Sequence, residues 1–129
     1  MTFIEQLKLS PDMHHLEPAT EESVQSAEKK LGVCFSPDYR TYILALGVAA
    51  VGDHEFTGLC ASSRLNVTDV TLHERQKCPH ECDAMYVVER LHIDHIVIWQ
   101  DHDGLLYQSM PGSPLKKIAS SLTEYLTTD

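Results

Sequence analysis

The stretch that decides the fold is SPDYRTYILALG, residues 36–47. Ser36 is a residue type that caps helix N-termini, and Pro37 suits the first helical position, where its missing N–H costs nothing. Gly47 supplies the left-handed residue that commonly ends a helix. The apolar positions that share one face of this segment are Tyr39, Ile43 and Leu46. The stretch therefore predicts an amphipathic helix packed on a core.

Two further helices are predicted before this one. The first runs from the N-terminus to Leu9, where Ser10-Pro11-Asp12 breaks it. Thr20 caps the second, whose first turn holds two glutamates, where the helix dipole favours negative charge. Gly32 ends this second helix. The positions predicted to face the core from the second helix are Val24, Ala27 and Leu31.

Short apolar runs separated by turns follow residue 47 and predict strands. The predicted strands cover residues 55–59, 85–90, 93–100 and 105–110. The pair Asp103-Gly104 predicts a type I′ hairpin turn between the last two strands. Both alternate positions of residues 96–99 are apolar, so this strand is predicted to be central and covered on both faces.

The rest of the chain completes an α+β pattern. A helix is predicted over residues 66–76, and Ser121-x-x-Glu124 is a capping box that predicts a short final helix. Helices first and strands later predict a largely antiparallel sheet, a meander, packed with N-terminal helices and a short C-terminal helix. The 129 residues contain no repeat and no linker, so a single domain over residues 1–129 is expected.

Composition and charge exclude several classes of partner. Hydrophobic residues make up 43% and charged residues 22% of the chain, as in ordinary globular proteins. No apolar run approaches the ~20 residues that a membrane span needs, and no secretory leader is visible, so a cytoplasmic protein is expected. Ten Lys and Arg against nineteen Asp and Glu give a net charge of −9. A protein with this negative charge repels nucleic acid and attracts basic proteins.

Two local patterns carry residue types that bind metals. Cys78-Pro79-His80-Glu81-Cys82 has zinc-ligand types, but structural zinc normally takes four ligands and the second close pair is missing. We interpret it as a polar loop with two reduced thiols, and expect Cys34 and Cys60 to be free thiols as well. Asp101-His102-Asp103-Gly104 resembles the middle of a calcium loop without its closing glutamate, which favours a hairpin turn. No metal or cofactor is predicted.

Catalysis is not predicted from the sequence either. The chain has no glycine-rich phosphate loop, no nucleophile elbow and no metalloprotease motif. His92 and His95 flank the predicted central strand and are interpreted as histidines that face solvent, with a catalytic role as the less favoured alternative. A small metal-dependent or cysteine enzyme stays open as a third hypothesis behind two protein-binding ones.

Six motifs follow one another in a fixed order from about Thr20 to the end of the chain. They are Val24-x-x-Ala27-Glu28-x-x-Leu31-Gly32, Phe35-Ser36-Pro37-Asp38-Tyr39-Arg40-x-Tyr42-Ile43, Gly52-Asp53-x-Glu55-x-x-Gly58-Leu59, the helix over 66–75, Asp101-x-Asp103-Gly104-x-x-Tyr107 and Leu122-x-Glu124-Tyr125-Leu126. This order resembles the SUKH superfamily, in particular its Smi/Knr branch. One departure is Leu46-Gly47, where family members usually carry Asn-Gly.

The resemblance implies an α+β fold and a function in protein binding. Bacterial members of the superfamily are mostly immunity proteins of polymorphic toxin systems, including contact-dependent growth inhibition. Each neutralises a toxin whose C-terminal domain is often a nuclease, an RNase or DNase, by binding it tightly. The eukaryotic branch includes cell-wall regulators. The resemblance therefore implies an immunity protein, with a non-toxin regulatory module of the same family as the alternative.

An acidic inhibitor suits a nuclease, because a cleft that holds phosphates is basic. Competition with cellular nucleic acid requires nanomolar affinity or better, about −12 kcal/mol, so we expect a buried aromatic anchor ringed by carboxylates. The predicted anchors are Phe56, Tyr86 and Tyr107. The predicted carboxylates are Asp53, Glu55, Asp101 and Asp103. We predict that this surface covers or occludes the active site of the toxin.

Overall fold

Five helices and seven strands make up the computed structural model, which describes residues 1–78 and 80–127. The helices are α1 (Phe3–Lys8), α2 (Glu21–Leu31), α3 (Pro37–Leu46), α4 (Val67–Arg75) and α5 (Leu122–Thr127), with a 3-10 helix at His80–Cys82. The strands are β1 (His14–His15), β2 (Ala49–Val51), β3 (His54–Glu55), β4 (Tyr86–Arg90), β5 (Val97–Gln100), β6 (Leu106–Met110) and β7 (Ser113–Ala119). The predicted α+β class is confirmed.

Two antiparallel sheets meet at one point. One sheet has the order β1-β2-β3 and the other is the meander β4-β5-β6-β7. A single bridge between Phe56 and Glu89 joins β3 to β4, and the Thr57 N–H donates to the Val88 carbonyl at 2.9 Å beside it. All four residues of β5 are buried. The prediction that this strand is central and covered on both faces is confirmed.

The helix boundaries follow the predicted capping residues. The Thr20 hydroxyl accepts from the Ser23 N–H at 3.1 Å at the start of α2, and Gly32 ends that helix in the left-handed region with a φ of 68°. Pro37 takes the first helical position of α3 behind the cap Ser36. The Ser121 hydroxyl accepts from the Glu124 N–H at 3.1 Å at the start of α5. Local hydrogen bonding therefore fixes where these helices begin.

Several strand predictions are wrong. The strand predicted over 55–59 is only the two-residue β3 followed by the bridge, and β5 begins at Val97 rather than at 93. Asp94 and His95 have positive φ values of 53° and 55°. These values lie in the left-handed region and outside the β region that a regular strand requires. The strands β1, β2 and β7 were not predicted from the sequence. β7 contains Pro114 and two lysines, features of an edge strand that weaken its hydrophobic alternation.

The predicted type I′ turn at Asp103-Gly104 is also wrong. A type I′ turn needs positive φ at both central residues, but here Gly104 has a φ of 92° and Asp103 does not have a positive φ. The Gly104 N–H donates to the Asp101 carbonyl at 3.0 Å. The Asp101 carboxylate accepts from the N–H groups of Asp103 and Leu105, each at 3.0 Å. This aspartate therefore organises a longer hairpin loop through its own side chain.

The prediction of free thiols is wrong for two of the four cysteines. Cys78 and Cys82 form a disulfide, with Cα atoms 6.1 Å apart, while Cys34 and Cys60 are free. Cys78 lies in the segment after α4, and Cys82 is the last residue of the 3-10 helix. The short spacing of this pair looked like an incomplete metal clip in the sequence, because spacing alone does not show which sulfurs meet.

The helices α1, α2, α3 and α5 cover one face of the meander, which we call the inner face, and form the main core with it. The opposite, outer face packs against α4 through a second apolar cluster. The buried members of that cluster are Val70, Cys82, Met85, Val87, Val97 and Trp99. No helix among residues 1–78 and 80–127 is long and apolar enough to cross a membrane.

Tyrosine hydroxyls of α3 hold the helix against both sheets. The Tyr42 hydroxyl accepts from the Ala49 N–H at 2.8 Å and donates to the Thr57 carbonyl at 2.9 Å. The Tyr39 hydroxyl lies 2.9 Å from the Thr57 hydroxyl, which donates to the Val87 carbonyl at 2.7 Å. Burial raises the pKa of both tyrosines, so their hydroxyls stay protonated and available as donors.

A second polar network lies at the N-terminus of α3. The Tyr86 hydroxyl accepts from the Ser36 N–H at 2.9 Å and donates to the Gln100 side chain at 2.7 Å. Gln100 donates in turn to the Asp38 carboxylate at 3.1 Å, and that carboxylate accepts from the Leu122 N–H at 3.0 Å. This chain of hydrogen bonds connects α3, β4, β5 and the start of α5.

Glu89 ties α5 to the junction of the two sheets. Its carboxylate is 1% exposed and lies 2.9 Å from the His54 ring nitrogen Nδ1. The Tyr125 hydroxyl donates to it at 2.6 Å, and the Glu55 N–H donates at 3.1 Å. A buried carboxylate needs such partners, because its desolvation is otherwise costly.

We predict that Tyr42→Phe destabilises the fold by about 2–6 kcal/mol. The variant leaves the buried Ala49 N–H and Thr57 carbonyl without a partner, and each such group costs about 1–3 kcal/mol. Tyr107→Phe is the matched control: the Tyr107 hydroxyl makes no hydrogen bond within the described ranges, so the expected loss is under about 0.5 kcal/mol. Urea unfolding measures both free energies. Equal losses in the two variants would contradict the role given to Tyr42.

Candidate docking groove

A groove of about 890 Å³ opens on the outer face of the meander. It arises because α4 packs against β4, at one side of the sheet, while β6 and β7 continue beyond it. One wall is the end of α4 and the segment after it, including His73, Glu74 and Lys77. The other walls are the loop over residues 91–96 and the hairpin over residues 109–115. We call this feature the docking groove.

The floor of the docking groove is apolar. The apolar side chains that line it are Leu91, Ile96, Val97, Met110 and Leu115. Val97 and Leu115 pack with Trp99, whose indole N–H donates to the Ser109 hydroxyl at 2.9 Å. Four of these side chains, Leu91, Ile96, Met110 and Leu115, are only half-buried in the folded chain. The groove therefore offers apolar area that the fold itself leaves uncovered.

Its rim carries linked ion pairs. Arg90 lies 3.4 Å from the buried Glu74 carboxylate and donates to the Arg64 carbonyl at 2.9 Å. Arg64 donates two hydrogen bonds to Glu55, at 2.9 and 3.1 Å, and these bonds lower the pKa of that carboxyl group. Lys77 reaches Glu74 only at 4.0 Å, and its side chain is 64% exposed. The two arginines are held in place, whereas Lys77 projects into solvent.

The charge of the docking groove differs from that of the whole chain. Its lining holds three cationic side chains, Arg64, Lys77 and Arg90, against two carboxylates. The imidazoles in the lining are His73, His92 and His95. The whole chain has a net charge of −9. The excess of carboxylates therefore lies elsewhere on the surface.

Two of the three predicted anchor residues are in the core. Phe56 is 1% exposed and packs against the rings of Phe3, Tyr42 and Tyr125, while Tyr86 is fully buried. The assignment of both residues as anchors stays a prediction, although neither ring is exposed on the surface of the free protein. The reason is that both rings face the inner side of the sheets, where the helices pack.

The third predicted anchor has a different position. Tyr107 lies on the outer face, directly opposite Trp99 in the β5–β6 ladder and opposite Lys117 in the β6–β7 ladder. It is half-buried against the second apolar cluster. Of the three predicted aromatic residues, Tyr107 is the one that the structure places on the face that holds the docking groove.

The predicted carboxylates do not form one ring. Asp53 is at the turn between β2 and β3, and Glu55 borders the docking groove through its pair with Arg64. Asp101 and Asp103 lie in the loop that follows Gln100, which pairs with Tyr86 at the opposite end of β4. The length of β4, roughly 13 Å at 3.3 Å per residue, separates the two groups. The Asp101 carboxylate also accepts hydrogen bonds from two backbone N–H groups of its own loop.

The cationic residues of the docking groove were not predicted from the sequence. Arg64 precedes α4, Lys77 follows it, and Arg90 ends a buried strand. Residues on separate elements share no spacing that a sequence pattern could detect. The available signal was Arg90, a charged residue at the end of the predicted strand over 85–90. His92 and His95 are exposed as predicted, although they lie in a loop rather than on a strand.

The residues of the two suspected metal patterns have other partners. With the sulfurs of Cys78 and Cys82 joined, this pair has no thiolate to offer a metal ion. The Asp101 carboxylate is used by two backbone N–H groups. Within residues 1–78 and 80–127, no three His, Cys, Asp or Glu side chains are grouped so that they could hold a metal ion.

We predict that only Cys34 and Cys60 react with iodoacetamide when the protein is denatured without reductant, because the other two sulfurs are bonded to each other. Prior reduction should expose four thiols and lower the free energy of unfolding by about 2 kcal/mol, the chain-entropy value for so short a loop. Mass spectrometry of the alkylated protein counts the thiols. Four alkylated cysteines without reductant would contradict the disulfide.

The chain matches the model of a known family. The model of the family SUKH_5, described as SMI1-KNR4 cell-wall, matches residues 1–128. No curated protein matches the chain.

Proposed function

The chain belongs to the SMI1-KNR4 cell-wall family of the SUKH superfamily, and from this premise we propose that it is an immunity protein. In this proposal it binds the C-terminal domain of a cognate secreted toxin, such as a nuclease of a contact-dependent growth inhibition system, and blocks it. It works by occupying a protein surface and makes or breaks no covalent bond. The family match supports a protein of the immunity class. The groove on the surface of the molecule supports the idea that it acts by binding another protein.

The observation that carries the proposal is the docking groove. Protein interfaces have an apolar centre surrounded by polar and charged groups, and a few buried side chains supply most of the binding energy. The docking groove has this anatomy, with Val97 and Leu115 in its floor and Arg64 and Lys77 at its rim. A partner side chain inserted there would be desolvated by the floor and oriented by the rim.

The net charge of −9 favours a basic partner, because it attracts such a protein before the two surfaces touch. A nuclease domain that binds phosphates is cationic, so the two proteins attract each other before they touch. Exposed charges contribute little to final affinity, however, because solvent screens each pair. Charge therefore speeds the encounter, and the apolar floor of the docking groove holds the complex.

A regulatory protein-binding module is the second candidate. It is favoured by the cell-wall description of the matching family. It would use the same docking groove with a partner that is not a toxin. The two functions differ in what the protein does for a cell that makes the toxin, and that difference provides the test.

The test is co-expression with the toxin domain encoded beside this chain. We predict that the protein restores growth to cells that produce the toxin domain, and that the purified pair forms a stable complex. Ser113→Trp should abolish the rescue, because Ser113 is exposed and lines the docking groove, which the indole would fill. Ser26→Trp, at an exposed position of α2, is the matched control and should rescue fully.

Killing that is unchanged by the wild-type protein, with no complex between the purified pair, would contradict the immunity function for that toxin. Recovery of a non-toxin partner instead would favour the regulatory module. Equal rescue by both tryptophan variants would leave the immunity function standing and place its surface outside the docking groove. Thermal melting of both variants checks that they fold.

A separate prediction concerns the carboxylates outside the docking groove. Asp53→Asn with Asp103→Asn should slow association with a basic toxin domain by about threefold and flatten its salt dependence, because both side chains are exposed contributors to the long-range field. The dissociation rate should stay unchanged. Asp101 and Glu55 are excluded from this variant because each holds local structure. A change confined to dissociation, measured by surface plasmon resonance, would contradict this role.

A further inference from the structure

We propose that Cys78 and Cys82 form a redox-responsive site that controls one wall of the docking groove. Residues 76–78 and 80–85, which we call the wall segment, contain both cysteines. In the oxidised form the disulfide holds the wall segment in place, and reduction by a thiol compound frees it and weakens binding in the groove. The inference rests on the proposed function only where it names a toxin domain as the partner.

The two cysteines lie at different depths. Cys82 is 0% exposed and belongs to the apolar cluster of the outer face, together with Val97 and Trp99. Cys78 is half-buried and lines the docking groove. The disulfide therefore connects the wall of the groove to the cluster beneath its floor.

The hydrogen bonds of the wall segment are local. Its backbone hydrogen bonds, at 3.1 to 3.3 Å, run from Gln76 to His73, Lys77 to Glu74, Asp83 to His80 and Met85 to Cys82. The ion pair of His80 with Asp83 is internal as well. Among the described residues, 76–78 and 80–84 make no hydrogen bond to the strands of the meander. Hydrogen bonding therefore does not attach this part of the chain to the sheet.

The wall segment also buries few side chains. Cys82 and Met85 are buried, and Cys78 is half-buried. The remaining described members are exposed, namely Gln76, Lys77, His80, Glu81, Asp83 and Ala84. Segments with few buried contacts and exposed hydrogen bonds open locally at low cost in free energy. Without the disulfide, we therefore expect the part around Cys78 to open.

This opening leaves the rest of the fold intact. The main core lies on the inner face of the meander, and neither cysteine belongs to it. The two cysteines are four positions apart in the sequence, so their bond joins no distant parts of the chain. A loop this short also constrains the unfolded chain less than a long one does. Reduction is therefore a local change.

The reaction is thiol–disulfide exchange with a dithiol such as dithiothreitol. A thiolate of the reagent attacks the Cys78 sulfur from the groove, the S–S bond breaks, and the Cys82 sulfur takes the electron pair and then a proton. The second thiolate of the reagent attacks the reagent sulfur that is bonded to Cys78. This step releases the Cys78 thiol and closes the reagent into a cyclic disulfide. The protein gains two electrons and two protons, and the dithiol loses them.

Reduction affects binding because the wall segment contributes to the docking groove. Lys77, Cys78 and Glu81 line the groove together with the apolar floor. In the oxidised protein these side chains are positioned before a partner arrives. In the reduced protein a partner must order them, which costs conformational entropy and weakens binding.

Hydrogen–deuterium exchange of the free protein tests the opening. In dithiothreitol the N–H groups of Lys77, Asp83 and Met85 should exchange at least about fivefold faster than in the oxidised protein, because their hydrogen bonds open with the wall segment. The Val33 N–H, bonded to the Glu28 carbonyl at the end of α2, is the internal control and should change less than about twofold.

Alkylation and mass spectrometry of the native protein show whether the disulfide has been reduced, and thermal melting shows whether the reduced protein is folded. Equal exchange of the wall segment before and after reduction would overturn the inference. Reduction that occurs only when the whole protein unfolds would overturn it too.

Variants assign the effect to this disulfide. Cys78→Ser should show fast exchange of the wall segment without any reductant and no further response to dithiothreitol, because the bond cannot form. Cys34→Ser is the matched control: Cys34 is a free, exposed cysteine, so this variant should keep both the slow exchange and the full response. Slow exchange in Cys78→Ser, or the same behaviour in both variants, would contradict the role of the disulfide.

Binding of the toxin domain encoded beside this chain separates this inference from the proposed function. Without reductant, Cys78→Ser should bind the toxin domain at least about fivefold more weakly than Cys34→Ser, as measured by calorimetry. If both variants bind equally well, the immunity function stands and the inference fails. If the toxin domain binds neither variant nor the wild-type protein, while exchange still depends on the disulfide, the immunity function fails for that toxin and the redox control of the wall segment stands.

Discussion

The hydrogen bonds of three buried tyrosine hydroxyls determine how the parts of this protein fit together. Tyr39, Tyr42 and Tyr86 are fully buried. Their hydroxyls bond to Thr57 after β3, to the Ala49 N–H of β2 and to the Ser36 N–H at the start of α3, respectively. Apolar contacts tolerate small shifts between a helix and a sheet, but a buried hydroxyl that loses its partner costs about 1–3 kcal/mol. These bonds therefore fix the position of α3 against both sheets, and the other N-terminal helices pack around it.

The docking groove is a consequence of that arrangement. Because α1, α2, α3 and α5 occupy the inner face of the meander, only α4 and the segment after it remain to cover the outer face. α4 lies on β4, so the sheet beyond it stays partly open between the 91–96 loop and the β6–β7 hairpin. Trp99 is buried beneath this opening, where it packs with Val97 and donates a hydrogen bond to Ser109.

The sequence predicted the helices well because their signals are local. Thr20, Gly32, Ser36 and Pro37 act on the backbone within one turn, so their roles can be read without knowing the tertiary structure. The short strands β1 and β2 carry no such signal, since their pairing depends on partners far away in the chain. The same limit applies to Phe56: an aromatic residue beside glutamates has the same local pattern in a core as on a surface.

The charge of this protein acts at two ranges, and the sequence showed only one of them. Net charge is a sum over the chain and could be counted, whereas Arg64, Lys77 and Arg90 meet only in the folded structure. Hydrogen–deuterium exchange of the protein alone and in complex with its cognate toxin domain tests the central claim most directly. Binding through the docking groove predicts new protection over residues 71–77, 91–96 and 109–115. Protection confined to α1, α2 or the loop over 101–105, with the groove segments unchanged, would contradict it.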